Sequence, residues 1–233
     1  MKVVILAGGL GTRISEYTQT IPKPMVQING KPILLRIMNS FAKAGHNDFY
    51  IALGYKGDVI RKYFKNFKTD WNINLINTGK KTMTGGRLKR LKKYLKNETF
   101  LMTYGDGLSD VDINKLIKFH KLKKKLVTLT AVRPPARFGY LKLKNDLVKY
   151  FKEKSQADEG WINGGFFVIN SRFLNYIKND QIYLEREPLE NLTKKKQLSA
   201  FKHKGFWQCM DTVRDKKVLE QSLFTKKLKK FFD

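Results

Sequence analysis

The feature that most constrains the fold is a short apolar run at the N-terminus that ends in a cluster of glycines. Lys2–Ala7 reads KVVILA, and Gly8, Gly9 and Gly11 follow within the next four residues. A β-branched apolar run of this length that stops at glycines predicts a buried strand. Buried strands of this kind are typical of parallel sheets, in which helices cover both faces. The chain is therefore expected to be an α/β protein.

The pattern further along the chain supports this expectation. Strands and helices alternate up to residue 132, which is typical of parallel strands joined by helical crossovers, and the second half adds antiparallel strands. The predicted elements that bear on the site are helices at 32–44, at 87–95 and from about 212, and strands at 49–53, 99–103, 140–143, 148–153 and 166–169. Ligands of open parallel sheets bind at the carboxyl ends of strands, so the glycines after Ala7 and Tyr104 should face one crevice.

Length and composition indicate one globular domain. The chain has 233 residues, 42% of them hydrophobic, and no Pro/Ser-rich or Gly-rich linker divides it. A chain of this length buries about 70–75% of its unfolded surface, so one domain over residues 1–233 needs neither disulfides nor metals to fold. Cys209 is the sole cysteine, which suits a reducing cytosol. Without 18 consecutive apolar residues or the core of a secretion signal, a cytoplasmic protein with no membrane span is expected.

The charge of the chain is strongly positive. Lys and Arg number 47 against 20 Asp and Glu, a formal net charge of +27. Such an excess attracts polyanions, so nucleic acid, anionic membranes and phosphorylated substrates are all candidates. Lysine runs such as 123–125 and 194–196 are usually solvated faces. The favoured interpretation is a lysine-rich, solvated surface that has no specific nucleic-acid partner. The alternative is that part of the positive charge serves a function.

The glycine cluster is a candidate phosphate-binding loop. Glycines carry no Cβ, so the backbone amides of the loop can close on an anion. The loop lacks the third glycine of the dinucleotide fingerprint and the Gly-Lys-Ser/Thr of the P-loop. Arg13 follows it directly, and Lys23 lies between two prolines that stiffen the backbone and hold this cation in position. An ordinary strand-to-helix turn is the alternative.

Two of these segments resemble a known family. LAGGLGTR at 6–13 and PKPM at 22–25 resemble the signature of the sugar-nucleotidyltransferases, which join a nucleoside triphosphate to a sugar 1-phosphate and release pyrophosphate. Later segments, in this order, resemble the cytidylyltransferase branch of that family: TMTGGRLKR at 82–90, TYGDG at 103–107, PPARFG at 134–139, NGGFF at 163–167 and GFWQCMDT at 205–212. The resemblance covers nearly the whole chain. It implies a single nucleotidyltransferase domain with a Rossmann-like, mixed, mostly parallel sheet flanked by helices.

The resemblance also implies an activity and a metal. The reaction would transfer the cytidylyl group of CTP to α-D-glucose 1-phosphate and give CDP-glucose and pyrophosphate, with Mg²⁺ as cofactor. Asp106 and Asp211 match the magnesium ligands, and two carboxylates plus substrate phosphates suit that ion. An N-cap of the helix predicted from about 212 is the alternative for Asp211. Arg13 and Lys23 correspond to the catalytic cations that grip the triphosphate and stabilise the transition state.

The remaining site residues follow from the same resemblance. The nucleotide would contact Leu6, Ala7, Gly8, Gly9, Gly11, Thr12, Thr82, Arg87 and Gly105, and the sugar phosphate Gly139, Glu153, Lys154 and Gly164. Arg87 has only donors, which suit the O2 and N3 acceptors of cytosine better than the N3–H of uracil. A surface arginine beside Lys89 and Arg90 is the alternative.

Two other functions and the state of assembly stay open. The chain could be a uridylyl- or thymidylyltransferase for another sugar 1-phosphate. It could instead be an inactive homologue that binds nucleic acid through its positive charge, against which the set of Arg13, Lys23, Asp106, Lys154 and Asp211 argues. Family members commonly form hexamers and carry a longer stretch where residues 67–77 stand. A homo-oligomer is therefore left open, and the short stretch does not favour a hexamer.

Overall fold

A seven-stranded sheet forms the centre of the structure, a computed structural model that describes residues 1–134, 139–152 and 160–233. In spatial order, its strands are β12 (Leu198–Lys202), β8 (Val127–Val132), β11 (Ile162–Asn170), β6 (Thr99–Tyr104), β1 (Lys2–Ala7), β4 (Asp48–Leu53) and β5 (Asn72–Asn77). The four strands from β6 to β5 run parallel, as does the pair β8 and β12. Strand β11 is antiparallel to both of its neighbours. The predicted mixed, mostly parallel α/β sheet is confirmed.

Helices cover both faces of this sheet. They are α1 (Ser15–Thr18), α2 (Ile33–Lys43), α3 (Gly57–Lys65), α4 (Thr84–Arg90), α5 (Ile113–Lys123), α6 (Glu187–Lys194), α7 (Val213–Ser222) and α8 (Lys226–Phe232). Successive side chains of a strand point to opposite faces, and β1 obeys this rule. Val3 and Ile5 pack in one hydrophobic cluster with α2, whereas Val4 and Leu6 pack in the other with residues of α4 and α6. The continuous apolar run of β1 therefore reflects burial on both sides.

Three short antiparallel pairs complete the strands of the described residues: β2 (Gln27–Ile28) with β3 (Lys31–Pro32), β7 (Gly107–Ser109) with β13 (Trp207–Cys209), and β9 (Tyr140–Lys144) with β10 (Leu147–Lys152). The pair β7 and β13 brings the segment after β6 next to the segment before α7. Within the described ranges, no helix has the length and apolar character needed to cross a membrane.

The carboxyl ends of β1 and β6 lie side by side and position the site. Leu6 is in register with Tyr104, and the Gly105 amide donates a hydrogen bond to the Leu6 carbonyl at 3.0 Å. The loops that follow the two strands therefore begin at adjacent points of one sheet edge. The expectation that both glycine-rich segments face one crevice is confirmed, since Gly8 and Gly105 line the same cavity.

Candidate active site

Lys23 lies at the centre of a cluster of charged side chains. Its Nζ atom is 2.7 Å from Asp106 Oδ2 and 2.7 Å from Asp211 Oδ1, and Arg13 donates to Asp211 Oδ2 at 2.8 Å. The Lys23 side chain is only 9% exposed, whereas that of Arg13 is 70% exposed. The structure thus brings together the two predicted catalytic cations and the two predicted metal ligands. Both carboxylates therefore pair with the Lys23 ammonium group, next to the carboxyl ends of β1 and β6.

The charges in this cluster stabilise one another. Burial alone would lower the pKa of the Lys23 ammonium, but the two carboxylates outweigh burial and hold its pKa above the usual value. Burial likewise favours the neutral form of Asp211, yet hydrogen bonding to Lys23 and the nearby Arg13 lower the pKa of this carboxyl. Lys23 and Asp211 therefore stay ionised across the neutral pH range.

Local structure holds Lys23 and Asp211 in place. Lys23 lies between Pro22 and Pro24 and begins a short 3-10 turn, Lys23–Met25. Asp211 comes directly before α7, whose N-cap is Thr212 in a capping box with Asp215. The alternative that Asp211 caps this helix is therefore wrong. Because Thr212 and Asp215 satisfy the helix end, the Asp211 carboxylate is left to pair with Lys23 and Arg13.

The glycine loop lines a cavity of about 780 Å³ beside this cluster. Gly11 has a φ of +69°, and a Cβ there would lie 2.8 Å from Thr18 Cγ2, so this position requires glycine. Within the described part of the chain, the amides of Gly9 and Leu10 have no acceptor. The predicted residues that line this cavity are Leu6, Ala7, Gly8, Gly9, Gly11, Thr12, Arg13, Lys23, Thr82, Arg87, Gly105 and Asp106. Free amides next to two cations can bind a polyphosphate.

Arg87 lies at the floor of this cavity and is only 4% exposed. Its guanidinium donates to the Gly8 carbonyl at 2.8 Å, to the Gly79 carbonyl at 2.7 Å and to Leu53 O at 3.2 Å. It therefore connects the segments after β1 and β5 with the last residue of β4. The alternative of a surface arginine is wrong. Burial, and then Arg90, lower the pKa of Arg87. Its contact with a base stays a prediction, beside the loop contacts that the structure shows.

A second cavity of about 870 Å³ lies on the other side of the charged cluster. Arg13, Tyr104 and Asp106 line both cavities, and Asp211, Asn163 and Glu185 line the second. Glu185 accepts hydrogen bonds from the Tyr104 hydroxyl and, at 2.7 Å, from Thr84 Oγ1. Burial and the neighbouring Glu185 raise the pKa of Tyr104, so its hydroxyl stays protonated. The two cavities therefore meet at Asp106, where two bound molecules can contact each other.

Of the four residues predicted to bind the sugar phosphate, the structure describes two, Gly139 and Gly164. The Gly164 carbonyl accepts a hydrogen bond from Trp207 Nε1 at 2.8 Å, next to Asn163 in the second cavity. Gly139 is exposed directly before β9 and is not among the described residues that line either cavity. Glu153 and Lys154 lie outside the described residues. The roles of all four residues stay predictions.

Sequence reasoning missed several residues of the site. Lys80 and Lys81 line the first cavity and directly precede Thr82, so proximity to the motif could have found them. Tyr183 and Glu185 line the cavities from a segment about which the motifs say nothing. Tyr104 and Glu185 are 81 positions apart, and only the folded chain brings them into contact.

Comparison with known proteins finds relatives over nearly the whole chain. Residues 2–215 match the family described as Nucleotidyl transferase. The chain is 49% identical to the glucose-1-phosphate cytidylyltransferase of Salmonella typhimurium over 94% of this chain and 95% of the relative. It is 36% identical to the D-glycero-alpha-D-manno-heptose 1-phosphate guanylyltransferase of Campylobacter jejuni over 75% of this chain and 78% of the relative. The crystal structure of HddC from Yersinia pseudotuberculosis has a TM-score of 0.76 at 28% identity and covers 95% of this chain and 99% of that chain.

Proposed function

Because the chain belongs to the Nucleotidyl transferase family, we propose that it transfers the cytidylyl group of CTP to α-D-glucose 1-phosphate and releases pyrophosphate. The observation that carries this proposal is the 49% identity to a glucose-1-phosphate cytidylyltransferase over 94% of the chain. The site supports it, because two cavities share Arg13 and Asp106 and two molecules can meet between them.

The first cavity would hold the nucleotide. The free amides of Gly9 and Leu10 would donate to phosphate oxygens, and Arg13 and Lys23 would balance the charge that grows on them. No covalent nucleophile on the protein is needed. A phosphate oxygen of the sugar phosphate attacks the α-phosphorus, and the bond to pyrophosphate breaks in line with it. Lys23 would stabilise the transition state, because its ammonium stays charged and is already held in place by two carboxylates.

The second cavity would hold the sugar 1-phosphate. Asp106 lines this cavity as well as the first, so a phosphate bound beside Asp106 would lie next to a nucleotide in the first cavity. Glu185 and Asn163 offer polar groups that can bind sugar hydroxyls. The resemblance adds Gly139, Glu153, Lys154 and Gly164 to this side of the site. In this proposal, Lys154 binds the phosphate and Glu153 the sugar.

Asp106 and Asp211 would hold Mg²⁺. Oxygens of both carboxylates lie 2.7 Å from Lys23 Nζ, so the two groups are close enough together to ligate one ion, and carboxylate oxygens are the donors that this hard cation prefers. In the described residues, no third His, Cys, Asp or Glu joins them in a metal-binding cluster, so phosphates and water would complete the coordination. When bound, the ion would neutralise phosphate charge and orient the triphosphate.

Substitution of the two aspartates tests this assignment. We expect Asp106→Asn and Asp211→Asn each to lower the rate of CDP-glucose formation by about 100-fold or more at saturating Mg²⁺, since several kcal/mol of charge stabilisation is lost. Asp70→Asn is the control, because Asp70 is exposed and lines neither cavity. Circular dichroism checks that each variant is folded. Turnover close to that of the control in either folded variant would remove that aspartate from the metal site.

A further inference from the structure

Lys80 and Lys81 line the first cavity, and the function proposed above gives them no role. Most of the charged residues that line this cavity, as far as the structure describes it, are basic: Arg13, Lys23, Lys80, Lys81 and Arg87 against Asp106. Arg13 and Lys23 pair with carboxylates, and Arg87 donates to main-chain carbonyls. Among the described residues, neither Lys80 nor Lys81 forms an ion pair. The charges of these two lysines are therefore available to a ligand.

The two lysines form a turn between β5 and α4, and hydrogen bonds fix both ends of this turn. Before the turn, the buried Arg87 guanidinium donates to the Gly79 carbonyl at 2.7 Å. After the turn, the Met83 amide donates to the Asp180 carbonyl at 2.8 Å. The main chain is thus held at the wall of the cavity, while both lysine side chains are exposed to an incoming ligand.

Lys80 also lies beside the glycine loop at 8–11. Its Nζ atom is 5.9 Å from the centre of the Tyr55 ring. The Tyr55 amide donates to the carbonyl of the first loop residue at 3.1 Å, and its hydroxyl donates to the Thr18 carbonyl at 3.0 Å. Thr18 Oγ1 in turn donates to the carbonyl of the last loop residue at 3.0 Å. Tyr55 therefore contacts the whole loop, and the Lys80 ammonium group lies close to the loop amides that would bind phosphate.

A phosphate chain is the ligand that this placement favours. Phosphate oxygens accept charge-assisted hydrogen bonds from ammonium groups, and exposed lysines around a cleft attract anions from beyond contact distance. A base without formal charge gains much less from two ammonium groups. Building on the function proposed above, we propose that Lys80 and Lys81 bind the phosphates of the nucleotide and draw it into the first cavity. Contacts made equally to the substrate and to the transition state lower KM and leave kcat unchanged.

Isothermal titration calorimetry with CTP and CMP, in the presence of Mg²⁺, tests this inference. We expect Lys80→Gln/Lys81→Gln to weaken CTP binding about tenfold and CMP binding about twofold, because CMP offers one phosphate to these donors instead of three. Added salt should weaken CTP binding to the wild type more than to the variant, since salt screens exposed charges. In initial-rate measurements, the KM for CTP should rise and kcat should change little.

Two further variants are the controls. Lys121→Gln/Lys124→Gln removes the same charge from exposed lysines that are not among the described residues lining either cavity, and it should bind CTP like the wild type. Lys80→Arg/Lys81→Arg keeps both charges and should retain most of the affinity. Circular dichroism checks that each variant is folded.

Three outcomes would overturn the inference. CTP binding could be unchanged in Lys80→Gln/Lys81→Gln, CMP binding could fall as much as CTP binding, or the control that removes two other lysines could lose as much affinity. The second outcome would assign the lysines to the base or to the fold, and the third to the general charge of the chain. CTP binding that depends on both lysines, without any nucleotide sugar formed, would contradict the proposed function and leave this inference standing. A wild type that binds no nucleotide would contradict both.

Discussion

At the scale of single residues, the Lys23 ammonium group forms ion pairs with both carboxylates of the site. Asp211 has a pKa below its ordinary value of 3.8, so its contribution to the free energy of unfolding is present above that value and is lost as pH falls through the folded-state pKa. Lys23 has a pKa above 10.5, so its contribution is present below that value and is lost as pH rises through the folded-state pKa. Both groups therefore contribute fully at neutral pH, where the site would act.

Arg87 provides the first prediction at this scale. Arg87→Lys keeps a positive charge, but its single ammonium nitrogen cannot take the place of both Nη1, which donates to Leu53 O and Gly79 O, and Nη2, which donates to Gly8 O. We expect the free energy of unfolding to fall by about 2 kcal/mol, because each unpaired buried carbonyl costs about 1–3 kcal/mol. The kcat/KM for CTP should also fall, and the preference for CTP over UTP should narrow if Arg87 reaches the base. Urea unfolding and initial rates measure these effects.

The matched control for this variant is Arg90→Lys on the same helix. Arg90 forms an exposed ion pair with Asp180, and exposed pairs contribute only about 0–1 kcal/mol. An Arg87→Lys variant as stable and active as Arg90→Lys would contradict the role of Arg87. A lower kcat/KM with an unchanged CTP/UTP ratio would limit Arg87 to holding the loops.

Cys209 provides a second prediction. Burial, and then the carboxylates of Asp211 and Asp106, raise the pKa of this thiol to about 12. The thiolate is the reactive form, so the native protein should resist alkylation by iodoacetamide at pH 8. Mass spectrometry measures the modified fraction, and the urea-unfolded protein is the control that should react readily. Equal rates of modification in the native and unfolded states would show that the thiol is not protected.

At the scale of elements, the start of α4 depends on close backbone packing. A Cβ on Gly86 would lie 2.4 Å from the Asp180 carbonyl oxygen, and the Met83 amide donates to the same oxygen at 2.8 Å. In an unpacked helix, Gly→Ala stabilises by about 1 kcal/mol. In α4, Gly86→Ala should instead destabilise the protein and weaken CTP binding, because it pushes α4 away from residue 180 and displaces Arg87.

Thermal unfolding and the KM for CTP measure this effect. Gly160→Ala is the control, since a Cβ at Gly160 meets no described residue within 4 Å. A Gly86→Ala variant with an unchanged or higher midpoint of unfolding would show that the close packing is not needed.

The elements also show what local sequence can predict. Buried strands such as β1 and β6 were predictable, because apolar runs and terminal glycines are local signals. The helix predicted at 87–95 begins at Thr84 and ends at Arg90, followed by a 3-10 turn, since packing against residues 180–182 accommodates both glycines. The helix predicted from about 212 is two helices, α7 and α8. The pair β7 and β13 joins residues about 100 positions apart, which no local pattern reveals.

The same limit applies to the site. The motif residues Arg13, Lys23, Asp106 and Asp211 could be predicted to meet, because a resemblance to a family carries long-range information. Tyr183 and Glu185 could not, because their place depends on how α4 packs against the segment before α6. The hydrogen bonds from Arg87 to three main-chain carbonyls could not be predicted either. Every residue has a main-chain carbonyl, so the residue types do not indicate which ones accept.

At the scale of the whole molecule, the positive charge is the main unexplained property. The lysines at 123, 124 and 194–196 are exposed, as expected of solvated faces. We therefore expect weak binding to random-sequence DNA that falls steeply as salt rises, because only phosphate contacts would contribute. Fluorescence anisotropy over a salt series measures this. Tight binding that resists salt would favour a nucleic-acid function.

That residues 1–233 form one domain also stays a prediction.

The central claim is that the protein couples CTP, and not another nucleotide, to glucose 1-phosphate, and a competition assay tests it most directly. The wild-type protein is incubated with Mg²⁺, glucose 1-phosphate and equal concentrations of CTP, UTP, dTTP, GTP and ATP, and the nucleotide sugars are separated and identified by mass spectrometry. We expect CDP-glucose to exceed every other product by at least about tenfold, as a site that hydrogen-bonds one base discriminates against the others. A UDP-, dTDP- or GDP-sugar formed as fast as CDP-glucose, or no nucleotide sugar at all, would contradict the proposed function.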